Sequence, residues 1–140
     1  MVLEDLPTIL ESGGYGNSDP IESGARIRRN GLVVLTPQGN ATQAFAAPNL
    51  LARGIALSTI DNQNNDYTSA KAGTKIGIFL FNNHIDDPVT REDIGKFAYI
   101  FDETTVCRTS TDKSIAGQIV QIEPSGDQVW VKITGVGYAR

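Results

Sequence analysis

The sequence predicts an all-β fold: a small β-barrel or sandwich of short antiparallel strands, with one short helical turn near residues 90–94 and an extended N-terminal arm. Three observations predict it. Short apolar or alternating segments recur at a spacing of roughly 8–12 residues. Turn-forming Gly, Pro, Asn and Asp residues separate these segments. Only one stretch carries helix-capping residues, and it is too short to give a helix that covers a sheet.

Residues 1–24 are interpreted as the arm, because they are rich in Gly and Pro and their apolar residues keep no strand period. Ordering about 24 residues costs roughly 1–2 kcal/mol each. Burying the six aliphatic side chains of this segment returns only about 1.5–3 kcal/mol apiece. We therefore expect the arm to take contacts from the body or from another subunit. Its candidate partner-binding residues are Leu3, Leu6, Ile9, Leu10, Tyr15 and Ile21.

The body is assigned to residues 25–134, and its first half predicts strands from apolar runs. The run at 31–35 (GLVVL) ends in a turn at Thr36–Gly39 that contains Pro37. In 51–57 the residues Leu51, Ile55 and Leu57 are expected on one face, and the polar stretch 61–73 predicts a loop.

Residues 74–81 are predicted to form a strand in which apolar side chains occur on both faces. We expect Ile76, Ile78 and Leu80 to face inward, with Phe79 and Phe81 on the other face. A strand that is apolar on both faces is either central in its sheet or covered by a partner.

The helical turn and two hairpins make up the second half of the body. Thr90 can cap a turn whose third residue is Asp93, and Gly95 ends it. Segments 97–101 and 104–109 flank Asp102-Glu103 as one hairpin. Segments 115–122 and 128–134 flank the turn at 124–127 as a second hairpin, with Trp130 opposite the aliphatic face. Residues 135–140 are assigned as a short C-terminal tail.

Charge is distributed unevenly along the chain. Residues 1–25 hold five acidic and no basic side chains, whereas the other 115 residues hold all 12 basic side chains against 11 acids. The net charge of −4 therefore belongs to the N-terminal segment. A near-neutral body argues against a nucleic-acid partner, whose phosphates need a basic surface. No apolar run approaches the roughly 20 residues of a membrane span. A secretory signal is not expected, because the N-terminal residues carry acids where a signal peptide carries basic residues.

Candidate reactive residues are few, and no catalytic, cofactor-binding or metal-binding set is predicted. His84 is interpreted as a polar loop residue, and Cys107 as a small buried hydrophobe. One Cys cannot form an internal disulfide. The oxygen-rich stretch at 61–66 fails the calcium-loop pattern, because Asp66 stands where glycine is needed and Ala72 where an acid is needed. The turn acids Asp86-Asp87 and Asp102-Glu103 are interpreted as solvated.

The body nevertheless offers candidate partner-binding residues. Arg26, Arg28 and Arg29 cluster beside the arm. They are interpreted either as a charged strand that discourages aggregation or as a docking patch for an acidic surface, such as another subunit's arm. Trp130 and Tyr138, together with Phe79 and Phe81, give more aromatic surface than one face of a small barrel needs, which indicates a second buried layer or a subunit interface.

The segment 87–133 resembles the bacteriophage capsid cement, or head decoration, proteins of tailed phages and prophages. The residues that carry this resemblance are Val89-Thr90-Arg91, Asp93-Ile94-Gly95-Lys96, Tyr99, Asp102, Thr105-Val106, Ala116-Gly117 and Val129-Trp130-Val131, and more loosely the stretches 31–35 and 53–56. The resemblance covers about residues 25–134 and consists of turns and core positions. The acidic arm and the tail 135–140 depart from it.

The resemblance implies a β-rich structural virion protein that binds the outer surface of the major capsid protein lattice and stabilises the capsid. It implies self-association as a homotrimer, with a dimer as the alternative, and a location on the outside of the virion. A different hypothesis is a virion-surface binding module for carbohydrate or a host surface, in which Trp130 and Tyr138 would form the site. An enzyme is a third hypothesis and would need a deep pocket holding His84 beside Asp86 or Asp87.

Overall fold

The computed structural model describes residues 16–62 and 71–137, which form twelve strands and one 3-10 turn at Arg91–Asp93. The strands are β1 (Asn17–Pro20), β2 (Arg26–Ile27), β3 (Leu32–Leu35), β4 (Ala41–Gln43), β5 (Leu51–Ala56), β6 (Ile60–Asp61), β7 (Lys71–Lys75), β8 (Gly77–Asn83), β9 (Phe97–Ile100), β10 (Thr105–Cys107), β11 (Ile115–Ile122) and β12 (Gln128–Ile133). The all-β prediction with one helical turn is therefore confirmed.

The strands form two main sheets. In the C-terminal half, β10, β8, β12, β11 and β9 close into a five-stranded barrel. In the N-terminal half, an antiparallel sheet has the order β1-β7-β5-β3-β4. Its two edges meet where Ile21, just after β1, bridges to Ala41 in β4. A short β2–β6 pair lies beside this sheet.

Two hydrophobic cores share β3, all four of whose residues are buried. Leu32 and Val34 pack into a large core with the inward residues of the barrel. Val33 and Leu35 pack on the other side, in a smaller core that includes Ile21. Because neighbours on a strand point to opposite faces, this one strand joins the two halves of the body.

Both predicted hairpins are present, since each joins strands that are adjacent in sequence through a local turn. β9 pairs antiparallel with β10, and β11 pairs antiparallel with β12. The turn after β3 also forms as predicted, with the Gly39 N–H donating to the Thr36 carbonyl and Gly39 at φ +86°. The predicted polar loop is shorter than 61–73, because β7 begins at Lys71.

The predicted inward face of 74–81 was wrong. Ile76 separates β7 from β8, and within β8 it is Phe81 that is buried and Phe79 that packs against the large core. Ile78 and Leu80 are 51% and 38% exposed on the outer face of the barrel. Both faces of this strand carry large apolar side chains, so the sequence pattern alone did not identify which face is buried.

The predicted shared face of Leu51, Ile55 and Leu57 was also wrong, because β5 contains a bulge. Val33 pairs with Gly54 and Val34 pairs with Ala52, which leaves Arg53 as an extra residue. The bulge reverses the alternation: Leu51 packs against the smaller core and Ile55 in the larger one. Leu57 lies outside the strand and is 49% exposed.

The last third of the predicted arm is part of the folded body. Residues 17–20 form β1 and pair with residues 71–74 of β7. Ile21 has no exposed surface, and Glu22 donates its N–H to Ala41. Residues 1–15 lie outside the described residues.

Candidate functional site

The outer face of β8 and β12 carries three large apolar side chains, Ile78, Leu80 and Trp130, beside Lys132. Trp130 is directly opposite Leu80 and Lys132 is opposite Ile78. The Trp130 side chain is half-buried, and its Nε1–H donates to Glu123 Oε1 at 3.1 Å, so its ring is fixed in place. Val129, Val131 and Ile133 point into the core, which confirms that Trp130 lies opposite the aliphatic face. We call Ile78, Leu80 and Trp130 the β8 face.

The three predicted arginines lie together at the β2–β6 pair, but two of them already have acidic partners. Arg26 faces Asp61 at 3.8 Å, and Arg28 forms an ion pair with Glu103. A groove of about 440 Å³ runs between them. Arg29 is exposed, and the described residues give its side chain no ion pair. The cluster therefore presents less free positive charge than three arginines imply.

Arg53 joins parts of the body that are distant in sequence, and sequence reasoning did not single out its role. Its guanidinium donates to both carboxylate oxygens of Asp19, at 2.8 and 3.2 Å, and to the Gly135 carbonyl at 2.7 Å. A bidentate pair of this kind is strong and directional. It fastens β1 and the C-terminal tail to the bulge of β5. Because Asp19 is 34 residues away in sequence, no local pattern could have indicated the pair.

Asp93 is a buried carboxylate, 3% exposed, at the mouth of the barrel. Burial alone would raise its pKa. The Thr90 N–H at 2.9 Å and hydroxyl at 3.2 Å, together with Arg108 and Lys96, outweigh burial and hold the pKa of Asp93 below its ordinary value. The predicted capping of this turn by Thr90 and Asp93 is thus present. Its position indicates a structural role in closing the barrel end.

The other candidate reactive residues sit in local hydrogen-bond networks. His84 Nδ1 accepts the Asp86 N–H at 3.2 Å, and its ring lies 4.0 Å from that of Phe101. Asp87 accepts the N–H and hydroxyl of Thr109. Burial alone would raise the pKa of Asp87, but these hydrogen bonds outweigh burial and lower it.

Cys107 is buried, as predicted, and desolvation raises the pKa of its thiol. Among residues 16–62 and 71–137, no three His, Cys, Asp or Glu side chains are grouped so that they could hold a metal ion. No helix in this part of the chain is long and apolar enough to cross a membrane.

The predicted partner-binding residues of the arm divide into two groups. Ile21 is completely buried within its own chain. Its prediction as a partner contact was therefore wrong, because the smaller core already takes its side chain. The others, Leu3, Leu6, Ile9, Leu10 and Tyr15, lie outside the described residues, as does Tyr138.

Comparison of the chain with protein-family models, with curated proteins and with solved structures gave no significant match.

Proposed function

We propose that this protein is a structural virion protein that decorates and stabilises a tailed-phage capsid by binding the outer surface of the major capsid protein lattice. The proposal is supported mainly by the positions, in the structure, of the residues that carry the sequence resemblance. Val89, Ala116 and Val129 are core residues, and Gly95 adopts φ +92° at the end of the turn. Gly117 has no room for a side chain, since a Cβ there would lie 2.1 Å from the Lys132 carbonyl oxygen. These residues of the resemblance build the barrel and its turn, as expected of a likeness in fold, whereas Thr90, Arg91, Ile94 and Lys96 are exposed.

The arrangement of the body supports a role in binding on several sides. Two cores joined through β3 give a stiff module. Apolar side chains are exposed on the β8 face and also elsewhere in the body, at Phe45, Ile85 and Phe101. A protein that clamps a lattice needs such interfaces, and repetition over many copies turns modest contacts into high avidity.

The proposed attachment to the capsid also involves the acidic N-terminal residues 1–15. They hold Glu4, Asp5 and Glu11 and no basic side chain, and they join the body at Gly16, directly before β1. The predicted contacts of this segment with a partner remain Leu3, Leu6, Ile9, Leu10 and Tyr15. A homotrimer, with a dimer as the alternative, remains our expectation for the assembly.

The test uses the full chain co-expressed with its cognate major capsid protein. Assembled heads are separated on a density gradient, the bound chain is quantified, and the heads are heated until they rupture. We expect the wild-type chain to sediment with the heads and to raise the rupture temperature, and the Leu3→Asp/Leu6→Asp variant to bind much less. The matched control is Val136→Asp, an exposed apolar residue at the other end of the chain. A chain that stays at the top of the gradient, or heads that rupture equally with and without it, would refute the proposal.

The second candidate is a virion-surface module that binds carbohydrate or a host surface. It is favoured by the half-buried Trp130 on the β8 face, because an aromatic ring fixed on a flat surface can stack on a sugar. Since its indole N–H is engaged by Glu123, only the ring face is available. A glycan array probed with the wild-type chain and with Trp130→Ala decides this: glycan binding that Trp130→Ala abolishes favours the module.

A further inference from the structure

Strand β8 has one edge that is only partly paired. Along the other edge β12 pairs with residues 77–82, whereas on this edge β10 pairs only with the last two residues of the strand. The Asn82 N–H donates to the Thr104 carbonyl at 2.8 Å on this edge. Successive residues of a strand direct their N–H and C=O groups to alternate edges, so Ile78 and Leu80 direct theirs to the same edge as Asn82. Residues 16–62 and 71–137 provide no partner for these four backbone groups.

The open edge of β8 lies along a groove of about 360 Å³. Phe79, Leu80 and Phe81 line the groove from β8, and Ile55 lines it from β5. Phe79 and Phe81 share the inward face of the strand, but Phe81 is 3% exposed whereas Phe79 is only half-buried. The difference follows from the missing neighbour, because β10 does not extend as far as Phe79. The groove thus leaves apolar surface uncovered that a further strand on this edge would bury.

The groove carries an unbalanced positive charge. Among the described residues, Lys75 and Glu103 are the charged side chains that line it. Glu103 forms an ion pair with Arg28. Lys75 has no acidic partner in the described part of the chain, and its Nζ lies 6.0 Å from the centre of the Phe79 ring. Lys75 is paired with Ile55, so the two side chains share one face of the sheet. A carboxylate that enters the groove therefore meets a complementary charge.

We propose that the open edge of β8 binds an extended segment of a partner protein as an added antiparallel strand. The segment places an apolar side chain opposite Phe79 and a carboxylate side chain opposite Gly77. Unpaired strand edges bind extended peptides through backbone hydrogen bonds, and alternate side chains give the specificity. Antiparallel pairing is slightly more stable per residue than parallel pairing. The inference does not rest on the proposed function.

Four residues of such a segment fit along the edge from Gly77 to Leu80. The segment then ends before Asn82, which β10 already pairs. The two segment residues opposite Ile78 and Leu80 each donate one backbone hydrogen bond and accept another, because those are the residues of β8 with unpaired groups. Their side chains lie on the outer side of the sheet, beside Ile78 and Leu80. Backbone pairing thus supplies four hydrogen bonds that do not depend on the partner's sequence.

The other two residues of the segment face the groove and determine which partner fits. The residue opposite Phe79 covers the exposed part of that ring, which favours an apolar side chain. The residue opposite Gly77 has room on the groove side, because a Cβ on Gly77 itself would meet nothing closer than 3.6 Å. Lys75 lines this end of the groove, which favours Asp or Glu at that position.

Amide hydrogen exchange of the full chain, followed by NMR, tests whether the edge is open. We expect the Ile78 and Leu80 amides to exchange at least about tenfold faster than those of Phe79 and Phe81, which point to β12. Protection of the Ile78 and Leu80 amides in the free protein would overturn the proposal, because another part of this chain would then occupy the edge. Protection that appears only at high protein concentration would also overturn it, since a second copy would be the occupant.

A blocked synthetic peptide, acetyl-Thr-Val-Thr-Glu-Thr-amide, tests binding, because its Val and Glu take the positions opposite Phe79 and Gly77. At millimolar peptide we expect saturable shifts and slower exchange of the Ile78 and Leu80 amides. One control peptide has Pro in place of the second Thr and cannot donate to the Ile78 carbonyl. Another has Lys in place of Glu. Both should bind at least about tenfold more weakly. No saturable change, or equal binding of the proline peptide, would overturn the proposal.

Charge reversal tests the role assigned to Lys75. The Lys75→Glu variant should prefer the lysine peptide to the glutamate peptide, the reverse of the wild-type order. The matched control is Lys71→Glu, an exposed lysine at the other end of β7, which should keep the wild-type preference. The Asn83 amide, which bonds to Asp127, reports whether the barrel is intact in each variant. A Lys75→Glu variant with an intact barrel that still prefers the glutamate peptide would contradict the proposal.

Discussion

Replacing Asp93 by Asn should destabilise the folded chain, because this buried carboxylate closes the turn at the barrel mouth. Its oxygen accepts the Thr90 N–H at 2.9 Å and the Thr90 hydroxyl at 3.2 Å. A hydrogen bond to a charged group contributes about 1.5–3 kcal/mol, and one between neutral groups about 0.5–1.5 kcal/mol. Asn can keep one neutral bond to Thr90. Arg108, at 3.3 Å, is half-exposed and adds at most about 1 kcal/mol. The expected loss in the free energy of unfolding is therefore about 1–3 kcal/mol.

The pH dependence gives this prediction a distinctive signature. The pKa of Asp93 is lower in the folded chain than the value of about 3.9 expected when unfolded. The unfolded state therefore binds more protons between these two values, and the stabilisation rises with pH. It is complete above the unfolded pKa and is lost as the pH falls through the folded pKa. The difference between wild type and Asp93→Asn should be constant from about pH 5 to 7 and should shrink below about pH 4.

The assay is urea unfolding, followed by the fluorescence of the single tryptophan, Trp130. Glu92→Gln, an exposed acid in the same turn, is the matched control and should stay within about 0.5 kcal/mol of wild type. Asp87 also has a lowered pKa, so the variant should keep part of the acid sensitivity. An Asp93→Asn variant as stable as Glu92→Gln at pH 7, or a difference that does not shrink in acid, would refute the reasoning.

Three further predictions concern other parts of the body. Gly117→Ala should lower the free energy of unfolding, measured by thermal unfolding, by at least about 2 kcal/mol, because the new Cβ would lie 2.1 Å from the Lys132 carbonyl oxygen. The control is Gly73→Ala, whose Cβ would meet nothing closer than 3.4 Å, and equal effects of the two substitutions would contradict the packing. Arg53→Lys should cost about 1–3 kcal/mol in urea unfolding, because lysine cannot reproduce the bidentate bonds to Asp19; Arg29→Lys should be neutral, and a neutral Arg53→Lys would disprove the role of the pair. A thiol reagent should modify Cys107 at least about 100-fold more slowly in the native chain than in urea, because the thiol is buried and its pKa is raised; equal rates would contradict this.

Local features of the sequence predicted the fold class and the hairpins. The β9–β10 and β11–β12 pairs close through turns of a few residues, so turn chemistry and alternation specify them together. The capping of the turn by Thr90 and Asp93 was predictable for the same reason, since the partners are only three positions apart in sequence.

The remaining features depend on what lies far away in sequence. Alternation in β8 located the strand, but the position of the large core decided that Phe81 is buried and Leu80 is not. The bulge at Arg53 cannot be recognised from the pattern of apolar residues, and it placed Leu51 on the face opposite to the one expected. The boundary of the arm failed for a similar reason: Pro20 does not prevent β1 from pairing with β7, whose residues lie more than fifty positions later.

The contact of Arg53 with Asp19 and Gly135 has a consequence for engineering the chain. It brings the first strand and the start of the tail together, and a Cβ on Gly135 would lie 2.9 Å from the Asn17 amide nitrogen. The two ends of the folded body are thus neighbours. A circular permutant could join them by a short linker and open the chain at the exposed turn around Gln38. Chain segments that continue from either end of the described body, before Gly16 or after Gly137, therefore start from the same region of its surface.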